Sequence, residues 1–453
     1  MNKVSKFQWG LLTVFLFSMG LRFWNLSQFN ELVFDEIYYA VYSNDYLIGK
    51  QFFQSHPPLT QYLIAFGIWV GSHFPTSPDT VNNLTGTLRS TVSYRWLNAF
   101  CGSFIPLIVG GIAYELTFRR SYALIAAFLI SLDGLFLVES RYALNNIYLI
   151  IFGLLGQLCF LTALRRDNKL LWFLTSGMSF GACVNIKWNG LGFLLGLFLL
   201  LGLAFLGKIV NRNNSRYNID NFLYHKLTSI KWYYLLLSLI IVPIVFYSLL
   251  WIPHLYLVPQ YNFWEVHREI FSFHQRIKGN TSDVHPYCSP WYSWLIMWRP
   301  IAYYYKAVGE GNLKIIYDVH AMGNPILWWL STTAIITIII TSTLSLSGRK
   351  FFLSRTDIAF YLICNYVANL LPWLKITRCT FLYHYMPSYI FSILGLAWII
   401  DYGLQSPYRY HKILSKASLL LIVVAFIYWL PVYIGIPLSA GGFYRRLFLP
   451  SWI

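Results

Sequence analysis

Two adjacent carboxylates, Asp35 and Glu36, follow the first hydrophobic segment of a chain that has only 17 Asp and Glu in 453 residues. A carboxylate within hydrogen-bond reach of a hydroxyl can act as a general base while that hydroxyl attacks. The neighbouring Phe34, Tyr38 and Tyr39 would shield it and raise its pKa toward useful basicity. We therefore predict that Asp35 removes a proton from an alcohol and that Glu36 supports it. The alternative is that Asp35 caps a short helix with its carboxylate.

Basic and imidazole side chains recur at the ends of hydrophobic segments that we place on the same side as the acidic pair. A guanidinium or ammonium group there could bind a phosphate as negative charge develops on it. The candidate substrate-binding residues are His56, Arg95, Arg141, Lys187, Arg378 and His384. The alternative for those at segment edges is snorkelling of the charged group to the membrane interface.

Local sequence suggests how some of these residues are held. Asp133 and Glu139 precede Arg141 and are expected to orient it as ion-pair partners. Arg378 and His384 are nearly two helical turns apart, which predicts that they share one face of a helix.

Composition assigns the chain to the polytopic membrane proteins, because 57% of its residues are hydrophobic and 11% are charged, against about 25% charged in soluble domains. Windows near the ~20 residues that span a bilayer predict about eleven transmembrane helices in an all-α integral membrane fold. The windows are residues 8–24, 96–117, 121–138, 144–164, 170–186, 188–209, 233–251, 326–347, 356–374, 380–400 and 416–436. The net charge of +17 is explained by the positive-inside rule, and no nucleic-acid partner is expected.

The distribution of basic residues predicts how the chain is oriented in the membrane. If residues 59–74 form an interfacial helix in the first outer loop and do not span, three basic clusters lie on the cytoplasmic side, as the positive-inside rule requires. These clusters are Arg119–Arg120, Arg165–Arg166 and Arg349–Lys350. This predicts a multi-pass cell-membrane protein with a cytoplasmic N-terminus, outer loops at about 25–95 and 252–325, and the site on the outer face. We expect residues 1–453 to form a single integral-membrane unit.

Cysteine and histidine spacing adds little. Cys288 and Cys379 lie in or beside outer loops, so a disulfide between them is one possibility that the sequence leaves open. The histidines lack the helical spacing of metal ligands, and no metal or cofactor is expected.

The chain resembles the protein O-mannosyltransferases, integral-membrane enzymes that use a polyprenyl-phosphate mannose donor. The matching segments are Phe34-Asp35-Glu36, Phe52-Phe53 with His56-Pro57-Pro58-Leu59, Arg95 with Ala99 and Gly102, Asp133 with Ser140-Arg141-Tyr142, Gly177 and Gly181 with Lys187-Trp188-Asn189-Gly190, Trp294 with Arg299-Pro300, Gly323-Asn324-Pro325 with Trp328-Trp329, and Phe381 to Pro387. The resemblance implies a GT-C-type fold and an inverting single displacement with Asp35 as base. It also implies transfer of mannose to Ser/Thr of an exported polypeptide, with polyprenyl phosphate as leaving group, in a membrane-lipid environment.

Two positions depart from the family pattern, which usually has Asp where this chain has Gln54 and Asn146. The span 252–325 is also too short for the extra lumenal module of eukaryotic members, which favours the bacterial branch. Three alternatives remain open: a related transferase acting on a lipid or glycan, a lipid-linked sugar flippase or transporter, and a membrane scaffold. A flippase or transporter would predict paired repeat halves and mid-membrane charges, which the sequence does not show.

Overall fold

A computed structural model describes residues 3–75, 77, 80–213, 222–277, 279, 284–346 and 355–453. Arg349 and Lys350 lie outside these ranges, so their placement on the inner side stays a prediction.

The described chain is mostly helical. Its helices are α1 Lys3–Phe23, α2 Glu36–Ile48, α3 Leu59–Gly71, α4 Thr91–Ser103, α5 Ile105–Thr117, α6 Arg120–Ser131, α7 Gly134–Arg141, α8 Asn146–Ala163, α9 Lys169–Ile186, α10 Leu191–Asn213, α11 Phe222–Thr228, α12 Trp232–Leu236, α13 Val242–Leu249, α14 Ile252–Leu257, α15 Phe263–Arg276, α16 Trp291–Trp294, α17 Pro325–Leu346, α18 Thr356–Leu370, α19 Met386–Gln405, α20 Arg409–Ile434 and α21 Ala440–Arg446. Its strands are β1 Val81–Leu84, β2 Thr87–Ser90, β3 Ile301–Val308, β4 Ile315–Ala321 and β5 Leu438–Ser439.

Eight helical segments of the described chain are long and apolar enough to cross a membrane, or nine if α6 and α7, bent by 62°, form one span. The windows at 8–24 and 170–186 also form helices, α1 and α9, but α1 and α9 are not among the eight segments that are long and apolar enough to span. Multiple spans are therefore confirmed, and the number eleven stays a prediction.

The first predicted outer loop contains α3, which has 13 residues. At 1.5 Å per residue it is about 20 Å long, too short for a hydrocarbon core of about 30 Å. Its position at the interface stays a prediction that this length favours.

The two large predicted loops also contain sheet, which the all-α expectation omitted. β1 and β2 form an antiparallel hairpin, and β3, β4 and β5 form an antiparallel sheet in that order. β1, β2 and β5 have four, four and two residues, too few to show an alternating pattern in the sequence. In β3 the consecutive residues Tyr303, Tyr304 and Tyr305 obscure that pattern.

Close helix packing places the connections that carry the candidate residues. α8 packs on α9 and α10 packs on α18. Gly192 and Gly196 of α10 lie against Asn369 and Asn365 of α18 so tightly that a Cβ at either glycine would collide with the amide. Small residues at this spacing allow two helix backbones to approach closely. The connections after α9 and α18 are thereby held near each other.

Candidate active site

The acidic pair begins α2, and its two carboxylates have different surroundings. Glu36 is fully buried and forms an ion pair with Arg95 at 2.7 Å. Its carboxylate also accepts hydrogen bonds from the backbone N–H groups of Val33, at 2.8 Å, and Ala143, at 2.9 Å. Every oxygen of Glu36 is thus occupied by the protein. Glu36 therefore positions the loop before α2, as opposed to contacting a substrate.

Arg95 completes this support. Its guanidinium donates to the carbonyls of Leu26 and Phe29, both at 3.0 Å, and of Glu31 at 2.9 Å. With the Glu36 pair, these bonds fix the loop that leads to Asp35. The structure thus assigns Arg95 to loop positioning and not to the predicted substrate binding, because its donors already have protein acceptors.

This buried pair gives a stability prediction. We expect Glu36→Gln to lower the free energy of unfolding by about 3–5 kcal/mol, because it leaves the Arg95 charge buried without its partner. The exposed pair Arg276–Glu269 supplies the control, and Glu269→Gln should change stability by about 0–1 kcal/mol. Thermal unfolding of both variants in the same detergent or nanodisc measures the difference. Equal stability of the two variants would contradict the assignment.

The backbone before Asp35 adopts an uncommon conformation. Phe34 has φ +52°, in the left-handed region that non-glycine residues rarely occupy. Its ring stacks on Tyr303 of β3, with centroids 4.1 Å apart and an interplanar angle of 8°. Such a conformation costs on the order of 1–3 kcal/mol and persists only where the surroundings impose it. The stacking and the Arg95 bonds impose it here and hold the backbone that leads into Asp35.

Asp35 itself stays available. It stands at the N-cap of α2 but its side chain makes no capping hydrogen bond, so the alternative interpretation as a helix cap is wrong. Burial raises the pKa of Asp35 to about 6, and the nearby Lys187 ammonium opposes that rise. A partly shielded carboxylate beside a cation is suited to accept a proton near neutral pH.

Lys187 lies in the single-residue connection between α9 and the turn Trp188–Gly190. The side chain is buried, with an exposed fraction of 7%. None of the described ion pairs involves it, and its ammonium lies 5.3 Å from the ring centre of Tyr383. Burial and the charge of Arg378 lower the pKa of Lys187 to about 8, while Asp35 and Glu139 oppose the shift. Burying an ammonium without a paired carboxylate destabilises the fold unless an anionic ligand pairs with the charge.

A cavity of about 1010 Å³ has Lys187 in its lining. His56 and Arg378 line it as well, and most of the other lining residues are apolar or aromatic. Asp35 is outside the lining, and the Lys187 charge lowers the pKa of Asp35 against the effect of burial. Three of the predicted binding residues thus line one cavity, and one of them, Lys187, interacts electrostatically with the predicted base.

Arg378 lies in the non-helical residues 376–381 between α18 and α19, whereas His384 lies in the following 3-10 helix Leu382–Tyr385. The prediction that the two residues share one face of a helix is therefore wrong. The following residue, Cys379, is disulfide-bonded to Cys288 with their Cα atoms 5.2 Å apart. Beside that bond, the Ser289 N–H donates to the Thr380 carbonyl at 2.8 Å. The disulfide left open by the sequence therefore exists and ties the Arg378 connection to the second large loop.

Two further candidates are not in the cavity wall. His384 is 2% exposed and packs against Trp373, a lining residue, with ring centroids 4.5 Å apart. Arg141 donates to the carbonyls of Leu21, at 2.9 Å, and Trp24, at 2.7 Å. It therefore closes the C-terminal end of α1 and lies outside the cavity lining, so its predicted role as a phosphate ligand stays a prediction.

The expected partners of Arg141 also have other roles. The Asp133 carboxylate accepts from the Phe136 N–H at 3.1 Å and starts α7. Glu139 accepts from Asn146 at 3.1 Å and from the Tyr303 hydroxyl at 2.5 Å. Asn146, at one of the two positions that depart from the family pattern, thus donates to a buried carboxylate, which Asp could do only when protonated.

Sequence reasoning missed Tyr303 and the helix α15, and it assigned Glu139 to Arg141 although its partners are Asn146 and Tyr303. Tyr303 gave no signal, because its partners Phe34 and Glu139 are distant in sequence. His267 and His274 of α15 are seven residues apart, hence two turns along one helical face, a signal that was present. In the described ranges no three His, Cys, Asp or Glu side chains come together as metal ligands.

Residues 12–258 match the family model of dolichyl-phosphate-mannose-protein mannosyltransferase, and residues 259–452 match that of the C-terminal four TMM region of protein-O-mannosyltransferase. The chain belongs to this family. The predicted family and the prediction of a membrane glycosyltransferase are thereby confirmed.

Relatives extend the match along most of the chain. The polyprenol-phosphate-mannose–protein mannosyltransferase of Corynebacterium glutamicum is 23% identical over 463 residues, which cover 88% of this chain and 81% of that protein. Protein O-mannosyltransferase 1 of Drosophila melanogaster is 30% identical over 208 residues, 45% of this chain and 22% of that protein. The chain therefore spans most of the bacterial relative and about a fifth of the insect one.

The fold is shared with a solved structure, that of the Saccharomyces cerevisiae Pmt1–Pmt2 complex bound to the sugar donor. The match has a TM-score of 0.81 at 14% identity and covers 100% of this chain and 93% of the yeast chain. The predicted GT-C-type fold is confirmed at the level of architecture.

Proposed function

We propose that this chain transfers mannose from polyprenyl-phosphate mannose to Ser/Thr hydroxyls of exported proteins at the outer face of the cell membrane. The names of its bacterial relatives support this donor and a protein acceptor. The observation that carries the proposal is Lys187, a buried ammonium that lines the cavity together with Arg378 and whose charge interacts with the Asp35 carboxylate.

The arrangement supports a single displacement. The Asp35 carboxylate takes the hydroxyl proton while the hydroxyl oxygen forms a bond to the anomeric carbon of mannose. The bond from that carbon to the phosphate oxygen breaks, and its electron pair stays on the phosphate. Lys187 and Arg378 stabilise the negative charge that develops there. Because attack and departure occur on opposite faces, the configuration at the anomeric carbon inverts.

The apolar part of the cavity suits the lipid chain of the donor. Leu195 and Phe198 of α10 and Ile244 of α13 line it and are also 40%, 43% and 61% exposed. In a membrane these side chains would face acyl chains, so the cavity opens sideways into lipid between α10 and α13. A polyprenyl tail could therefore remain in the bilayer while its phosphate reaches Lys187.

The disulfide supports an outward-facing site. Disulfides persist in oxidising compartments and are rare in the cytosol. Cys379 is bonded to Cys288 and directly follows Arg378, so the cation of the proposed site lies beside the oxidised pair. The proposed outward orientation of the loop 252–325 agrees with this chemistry.

The direct test is reconstitution of the purified protein with synthetic short-chain polyprenyl-phosphate mannose and a Ser/Thr-rich peptide. We expect mannosylated peptide by mass spectrometry, with inverted anomeric configuration by NMR. The same donor with lipid or glycan acceptors serves as the comparison. Transfer to those acceptors but not to peptide would contradict the proposal.

The two ionisable groups predict a bell-shaped pH profile for the kcat/KM of the peptide acceptor, measured with the donor at saturation so that the pH dependence of donor binding does not enter the profile. Asp35 acts only when ionised, so the rate should rise as pH increases through its pKa of about 6. Lys187 acts only when charged, so the rate should fall as pH increases through its pKa of about 8. A peptide acceptor without titratable side chains and a range of about pH 5 to about 9.5 make both limbs visible.

Lys187→Arg tests the alkaline limb. A guanidinium stays charged over this range, so the fall above about pH 8 should disappear or move to higher pH while the acid limb stays. An unchanged alkaline limb in this variant would show that another group controls it.

A further inference from the structure

The helix α15 forms part of the cavity wall, and the proposed displacement uses none of its side chains. Its N-terminus is fixed by a capping box between Asn262 and Glu265. One side packs through Val266 and Ile270 on Trp251, while Trp264 and Phe271 line the cavity. His267 and His274 line the same cavity. The helix thus presents two imidazoles to the space beside Lys187 and Arg378.

His274 has one ring nitrogen committed and one free. Its Nε2 is 2.9 Å from the Ser55 carbonyl oxygen. A carbonyl only accepts, so Nε2 carries the hydrogen. The other nitrogen, Nδ1, is buried and has no hydrogen-bond partner among the described residues. In the neutral ring that nitrogen is an acceptor without a donor, an arrangement that costs free energy unless a ligand completes it.

The titratable groups around His274 are mainly cationic side chains and another imidazole. The ring centroids of His56 and His274 are 5.2 Å apart, and the charges of Arg378 and Lys187 interact with His274. On α15 itself, Glu269 and Arg276 pair with each other at the exposed surface. Burial, followed by Arg378, lowers the pKa of His274 to about 4, with a smaller contribution from Lys187. The ring is therefore neutral in the empty cavity, and an anion placed among these groups would favour its protonation.

We propose that His274 is a further ligand of the donor phosphate and binds it as an imidazolium, with one proton taken from solvent onto Nδ1 when the donor enters. Nδ1–H then donates to a phosphate oxygen while Nε2–H keeps its bond to Ser55. The proton stays on His274 during transfer, because the bond that breaks leaves its electron pair on the phosphate. As a second negative charge develops there, the attraction of the imidazolium increases. The inference rests on the proposed function, since it takes polyprenyl-phosphate mannose as the ligand.

His267 is a matched control on the same helix. Its Nδ1 lies 2.6 Å from the Phe263 carbonyl and its Nε2 lies 2.7 Å from the Tyr247 hydroxyl. Both nitrogens are occupied in the neutral ring, so a phosphate has no free atom to bind. Loss of this imidazole should leave ligand-linked proton uptake unchanged.

The experiment measures the protons taken up when farnesyl-phosphate mannose binds the full-length protein without acceptor. Titration calorimetry at about pH 6.5 in buffers of different ionisation enthalpy gives that number. The probe is a phosphodiester that does not titrate here, and Lys187 is already charged. Proton uptake by Asp35, whose pKa is about 6, is common to the wild type and the variants and cancels in the comparison. We expect the wild type and His267→Gln to take up about one proton more than His274→Gln. The affinity of His274→Gln should fall about ten-fold.

The variants and the wild type test separate parts of the inference. In His274→Gln the side-chain amide can preserve the hydrogen bond to the Ser55 carbonyl. His274→Asn is a second variant, which places a non-titrating amide near the Nδ1 position. Equal proton uptake by the wild type and a folded His274 variant would overturn the inference. So would the absence of uptake by the wild type, whatever the variants do. Failure of the wild type to bind the probe at all would instead contradict the proposed function.

Discussion

Replacing Asp35 with Asn is expected to lower the rate of mannose transfer by about 10²- to 10⁴-fold, the usual contribution of a general base. Asn cannot accept the hydroxyl proton, while its size and shape are close to those of Asp. The Asp35 carboxylate makes no capping hydrogen bond, so thermal stability should stay near that of the wild type. Donor affinity should also change little, because the phosphate ligands are retained. Single-turnover transfer and donor binding measure the two quantities separately.

Glu31→Gln is the control for this substitution. Glu31 lies in the same loop, is exposed, and accepts from the Tyr304 hydroxyl at 2.7 Å. Its neutralisation should leave the rate within about two-fold of the wild type, since an exposed charge contributes little. Undiminished transfer by a folded Asp35→Asn protein would end the assignment of the base.

Lys187→Met is expected to lower kcat/KM by about 10²- to 10³-fold, since it removes a charge aimed at the developing phosphate anion. The same change should leave thermal stability equal or higher, because a buried ammonium without a carboxylate partner is replaced by an apolar group of similar length. This combination separates a functional residue from a structural one. Kinetics and thermal unfolding of the same preparation provide both readouts.

Lys375→Met is the matched control, because Lys375 is an exposed ammonium close in sequence to Arg378. It should affect neither quantity measurably, as expected for a solvated charge. A loss of stability in Lys187→Met that equals its loss of activity would assign Lys187 to the fold instead.

The sequence located the site better than it assigned roles within it. Asp35, His56, Lys187 and Arg378 were selected because charges at membrane depth are costly and need a reason, and they lie in or beside one cavity. Glu36 and Arg95 were selected by the same criterion, but they satisfy each other. The free-energy cost of burying a charge does not by itself distinguish a charge that binds a ligand from one that is paired inside the protein.

Arg141 illustrates a second limit. Its position near two acids suggested an ion pair, yet it binds carbonyls at the end of α1. Helix ends leave carbonyls unsatisfied, and which residue reaches them depends on the packing of distant segments. His274 was overlooked for a related reason. The hydrogen bond that leaves its Nδ1 free is made to the Ser55 carbonyl, 219 residues earlier in the chain.

Local composition was enough to predict that this chain crosses the membrane repeatedly, because bilayer thickness and the cost of buried charge act on short stretches of sequence. An ordered set of short segments was likewise enough to identify the family and the acidic residue proposed as base. The folded chain was needed to separate free charges from paired ones and to show that Arg378 lies in a non-helical segment between α18 and α19. It was also needed to show that the two imidazoles of α15 line the cavity. Those features depend on contacts between residues far apart in the chain, which local composition and periodicity do not encode.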